Sequence, residues 1–76
     1  MDKLPILSGR EIVKILSKAG FAFHHQKGSH IVLKRTESPF IRVVVPAHKT
    51  VKRGMLRGII NEAGLTRESF LKLLEK

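Results

Sequence analysis

The chain has 76 residues, enough for one small domain, here taken as residues 1–76, with a single core. It has no cysteine, which excludes a disulfide mini-protein, a zinc finger and a cysteine protease, and its length excludes a large cofactor enzyme. Fifteen Lys and Arg against six Asp and Glu give +9 before four His are counted, an excess that points to an anionic partner.

The first ten residues hold a short apolar run, broken by Pro5 and stopped by Arg10. That is too short for a signal-peptide core, and no stretch approaches the roughly 20 apolar residues of a membrane span. A cytoplasmic protein with no membrane partner is expected. Ser8 and Glu11 have the spacing of a capping box. Ile12, Ile15, Leu16 and Ala19 then share one helical face, and Gly20 is a fitting C-terminal stop. A helix over residues 9–19 follows.

Residues 21–26 read as a strand, Lys27-Gly28 as a tight turn, and residues 30–35 as a second strand. Thr36-Glu37-Ser38-Pro39 is a loop by composition, and Ile41-Arg42-Val43-Val44-Val45 is a third, β-branched strand ended by Pro46. The register is open. A two-residue turn at Lys27-Gly28 sets His25 opposite His30 and puts Phe21 and Phe23 on the His30 face; a turn one residue longer reverses that pairing. In both cases His30, Val32 and Lys34 share one face of their strand.

A second helix begins near Lys52, with Leu56, Ile59, Ile60 and Ala63 on one face and Gly64 after it. A third is capped by Thr66, with Leu65 and Phe70 spaced as a hydrophobic staple and Leu71 and Leu74 on its inner side. The order α-β-β-β-α-α predicts an α+β fold with helices on one face of a three-stranded antiparallel sheet.

The basic residues avoid the acidic ones. Lys14, Lys18, Lys27, Lys34 and Arg35 occupy one acid-free stretch; Arg42, Lys49, Lys52, Arg53 and Arg57 occupy another. A solvated surface is the plain reading of such charge. The regional separation, with cations at the start of a helix, favours phosphate and hence nucleic acid. There is no Trp or Tyr, and the four Phe mostly suit a core, so a platform for stacking single-stranded bases is poorly supplied. Duplex RNA read through backbone and 2′-OH fits better.

His24, His25 and His30 lie close together in sequence. Adjacent residues of a regular strand point to opposite faces, so His24 and His25 should not bind one metal ion, and neither Cys nor a nearby carboxylate offers a third ligand. Neither metal nor cofactor is expected. His30 follows Gly28-Ser29, a turn that lets backbone approach a ligand, with Lys27 just before it and Lys34 on its strand face. An imidazole can take a proton near neutral pH, and the lysines could stabilise an anionic transition state. A base, a cationic clamp and the 2′-OH of RNA suffice for cleavage by internal attack on the adjacent phosphate. General-base catalysis and simple phosphate contact both remain open at His30.

Gly20-Phe21, Gln26-Lys27-Gly28-Ser29-His30, Val45-Pro46-Ala47-His48-Lys49, Arg53-Gly54-Met55-Leu56, Ile59-Ile60 and Ala63-Gly64-Leu65-Thr66 together resemble the HicA (YcfA-like) toxin family. The resemblance spans residues 9–74. It implies a double-stranded-RNA-binding-domain-like fold, an endoribonuclease acting on mRNA, and a HicB-type antitoxin that covers the active site. It also implies that His30 is the catalytic histidine, presented by Gly28-Ser29. Two positions depart from the family pattern: His25 stands where Arg is common, and Met55 where Thr is common. His48 matches a recurrent family histidine without an assigned role.

The leading expectation is therefore a metal-independent endoribonuclease toxin. His30 is its acid–base group, Lys27 and Lys34 its charge stabilisers, and Arg42, Lys49, Lys52, Arg53 and Arg57 its backbone contacts. The alternatives are a non-catalytic duplex-RNA-binding module of the same fold and a DNA-binding accessory protein.

Overall fold

Two of the three helices start where a side chain meets backbone N–H groups. In the computed structural model, which describes residues 4–75, the Ser8 backbone N–H donates to Glu11 Oε1 at 2.9 Å and the Glu11 N–H donates to Ser8 Oγ at 3.1 Å. This is the expected capping box, and it opens α1 (Gly9–Ser17). Met1, Asp2 and Lys3 of the N-terminal run lie outside the described residues. The helix ends two residues before the expected Ala19, and Gly20 leaves it at φ 93°. α2 (Arg53–Glu62) follows Lys52 without a side-chain cap. α3 (Arg67–Glu75) is capped by Thr66, whose Oγ1 accepts from the Ser69 N–H at 3.0 Å while Ser69 Oγ accepts from the Thr66 N–H at 2.9 Å. Serine here takes the part that Glu plays at α1.

Three antiparallel strands, β1 (Phe21–Lys27), β2 (His30–Arg35) and β3 (Arg42–Pro46), form one sheet in the order β1-β2-β3. Neither expected register is observed. The turn is Gly28-Ser29, one residue further on, so Lys27 pairs with His30 and His25 with Val32. A β-bulge at His24 then shifts the pairing, and Phe23 lies opposite Leu33. The extra residue moves Phe21 and Phe23 off the His30 face and onto the core face. The physical reason is burial: Phe21 is 4% exposed, and only the bulge reconciles that with the turn that Gly28 sets.

The core lies between the sheet and the helices. Phe21, Ile31, Leu33, Val43 and Val45 meet Ile12, Ile15 and Leu16 of α1, Leu56, Ile59 and Ile60 of α2, and Phe70 of α3 in one cluster. Burying one such side chain contributes about 1.5–3 kcal/mol. Three expectations are corrected. Phe23 and Phe40 are exposed rather than core, at 61% and 74%, because Phe23 sits at the sheet edge and Phe40 in the β2–β3 loop. On α3, Leu73 packs against the core in place of Leu74, since Phe70 and Leu73 are three residues apart on the inner face.

The other face of the sheet carries Lys27, His30 and Pro46 in one cross-strand row, His25, Val32 and Val44 in the next, and Ala22, Lys34 and Arg42 in the third. Val32 is buried but stands outside the core cluster, beneath these neighbours. This is the face on which the polar chemistry collects. No helix among the described residues is long and apolar enough to cross a membrane.

Candidate active site

His30 is the first residue of β2 and is exposed. The turn before it needs positive φ at its first position, and Gly28 supplies it at 58°. The turn is held from two sides. Gln26 Nε2 donates to the Gly28 carbonyl at 3.0 Å, and the Ala47 N–H donates to the Ser29 carbonyl at 2.6 Å. His30 therefore stands on a fixed hairpin corner with Lys27 directly across the ladder.

Beside it runs a groove of about 500 Å³. The sheet side is His30, Val44 and Pro46; the helix side is Met55, Gly58 and Glu62 of α2; His48 enters from the β3–α2 loop. Met55, Gly58 and Glu62 fall at i, i+3, i+7, one helical face. A Cβ at Gly58 would meet nothing within 4 Å, so this wall opens toward solvent. The groove is apolar along its sides, with imidazoles and one carboxylate as its polar groups.

The open sheet face carries a second cluster. Lys34 pairs with Arg42 across β2–β3, four residues and therefore about 13 Å along the strand from His30. Lys34 is thus not a neighbour of His30, although alternation puts both on one face. Its neighbour is His24, held below the ordinary imidazole value of 6.5, chiefly by the Lys34 charge, then by desolvation, His25 and Arg42. The bulge also corrects the expected separation of His24 and His25. Their Nδ1 atoms are 2.7 Å apart and the rings meet edge to face, with centroids 4.9 Å apart. One Nδ1 must donate and the other accept, so the contact holds a single proton. The described residues contain no group of three His, Asp or Glu able to hold a metal ion.

The remaining basic residues are dispersed. Lys52 borders a hollow shared with His48, Gly54 and Met55, next to the groove, and Lys49 is exposed in the same loop. Arg53 Nε donates to the Leu4 carbonyl at 2.6 Å, which ties the N-terminal segment to α2. Arg57 lines a different hollow with Arg67 and Glu68. Arg53 and Arg57 lie on the side of α2 turned from Met55, Gly58 and Glu62, so neither borders the groove. The family departures His25 and Met55 do lie around the site: His25 is on the His30 face, and Met55 lines the groove. Sequence reading missed the α2 wall. Its only signal was the i, i+3, i+7 spacing on the flank of α2 away from the arginines.

The α-β-β-β-α-α order, with the helices packed against one face of an antiparallel three-stranded sheet, defines an α+β protein of the double-stranded-RNA-binding-domain-like kind. Residues 9–65, from the start of α1 to just beyond α2, match the family model described as the HicA toxin of bacterial toxin–antitoxin. The chain belongs to the HicA toxin family and is the toxin component of a toxin–antitoxin system, with a HicB-type antitoxin as the implied partner. No curated protein matches it.

Proposed function

We infer that the chain is an endoribonuclease that cleaves mRNA by internal attack, with His30 as the base that takes the proton from the 2′-OH. The observation that carries this reading is the placement of His30: exposed, directly after a two-residue turn fixed by hydrogen bonds, opposite Lys27 and at the edge of a groove. The 2′-oxygen forms a bond to phosphorus as its proton passes to the imidazole. Lys27 offsets the charge gathering on the non-bridging oxygens. Nucleophile, base and counter-charge come from RNA and from this chain, so the reaction is expected to be metal-independent. A HicB-type antitoxin would restrain it by covering the groove and the basic face.

The test is cleavage of a labelled transcript in EDTA. Wild type should cut, and His30→Ala should lose about 10²–10⁴-fold, the usual worth of general-base help. Equal cutting by the two proteins rejects His30 as the base. Salt-dependent retention of intact RNA by wild type points instead to the non-catalytic binding module.

A further inference from the structure

We propose that His48 is the second acid–base residue of the groove, the general acid that protonates the departing 5′-oxygen. The inference rests on the endoribonuclease reading above and extends it to a residue that reading leaves without a role.

Internal attack needs two proton transfers on opposite sides of one phosphorus. The 2′-oxygen gives up a proton as it bonds to phosphorus; the 5′-oxygen must gain one as its bond to phosphorus breaks. One imidazole at the hairpin corner is well placed for one of these oxygens. His48 is the other imidazole that lines the same groove.

Backbone hydrogen bonds anchor both segments that carry the rings. His30 pairs with Pro46, and the Ala47 N–H bond to the Ser29 carbonyl continues the ladder one step past it. His48 follows two residues after Pro46, just past the end of β3, and lines the groove together with His30. Two imidazoles on the lining of one groove can bracket one phosphodiester. The loop is clamped from the other side too. The Gly9 N–H donates to the His48 carbonyl at 2.9 Å, and a Cβ at Gly9 would overlap the Pro46 carbonyl oxygen. Only glycine lets α1 come close enough to pin the segment that carries His48. The charged groups facing His48 are Glu62 across the groove, His30 on the sheet and Lys52 in the adjoining hollow.

The balance closes without a co-reactant. The 2′-O–P bond forms and its proton goes to His30. The P–O5′ bond breaks, its electron pair stays on oxygen, and that oxygen takes the proton of the His48 imidazolium. The products are a 2′,3′-cyclic phosphate and a 5′-hydroxyl. Proton exchange with water restores both rings.

The test uses the full chain, a transcript to map a cut, and then a short RNA carrying a 5′-bridging sulfur at that cut. A thiolate leaves without a proton. His48→Gln should lose about 10²–10⁴-fold on ordinary RNA and return to near the wild-type rate on the sulfur-linked RNA. His30→Ala should keep its loss of about 10²–10⁴-fold on both. A wild-type rate for His48→Gln on ordinary RNA, or equal slowness on both linkages, overturns the proposal while leaving the nuclease reading intact. Absence of cleavage by wild type rejects the nuclease reading, and this proposal with it. If His48→Gln does not fold by circular dichroism, wild type alone decides. The alkaline limb of its pH–rate profile on ordinary RNA should vanish on sulfur-linked RNA, and its persistence overturns the acid role.

Discussion

His24 shows how one residue's surroundings on the sheet face differ from what its sequence neighbours suggest. The bulge turns it toward Lys34, Arg42 and His25, and together with desolvation these disfavour its charged form, Lys34 most. By NMR titration His24 should protonate below 6.5, and Lys34→Gln should move it upward; no movement would show that Lys34 is not the cause. The sign for stability follows. In the unfolded chain the residue has its ordinary value, so below 6.5 the unfolded state binds more protons than the folded one. The penalty is absent above 6.5, grows as pH falls from 6.5 to the lowered folded value, and is constant below it. The urea midpoint should therefore drop between pH 7 and pH 5, and drop less in His24→Asn. At His30 the residue and its turn were readable in sequence, because Gly28 and Ser29 are adjacent to it. The role proposed for His48 was not, because it depends on Ser29, Gly9 and the α2 wall, each distant in the chain from residue 48.

At the scale of elements, the helices were legible and the sheet register was not. Caps and apolar stripes are local: Ser8 with Glu11, Thr66 before α3, and Leu56 with Ile59 and Ile60 each declare themselves within a turn or two. A β-bulge is settled by competition between elements. The turn follows Gly28, while the burial of Phe21 beneath α1 demands the other face, and the strand admits one extra residue at His24 to satisfy both. Leu74 misled for a similar reason, since the inner face of α3 is chosen by Phe70 and Leu73 against the core. The junction of α1 with β3 offers a direct test of element packing. Gly9→Ala would place a methyl on the Pro46 carbonyl oxygen and push α1 away from the Pro46–His48 segment. Overpacking of this kind costs about 1–3 kcal/mol. Calorimetry should show a lowered Tm, whereas Gly58→Ala, which meets open space inside α2, should raise Tm through a helix-propensity gain of about 1 kcal/mol.

Over the whole molecule, the +9 charge is divided by the fold into unequal surfaces. Lys27 stands at the hairpin corner, and Lys34 and Arg42 lie two rows further along the same open face. Lys49 and Lys52 flank the loop that brings in His48. Lys27, Lys34 and Arg42 share the sheet face that carries His30. Arg53 and Arg57 do not join them: one is spent on the Leu4 carbonyl and the other sits beside Glu68 behind α2. A strand lying along the open face would place one phosphate near Lys27 and another near the Lys34–Arg42 pair, and would release a counterion at each cation it neutralises. Replacing a phosphate-contacting cation should weaken binding to all sequences and reduce the slope of log K against log salt by about 1. In the His30→Ala background, where RNA stays intact, Lys27→Gln and Arg42→Gln should each show that loss, and Arg57→Gln should show much less. Fluorescence anisotropy across a salt series measures it. Equal losses at all three positions would mean that RNA responds to net charge alone, and that the open face is no track for it.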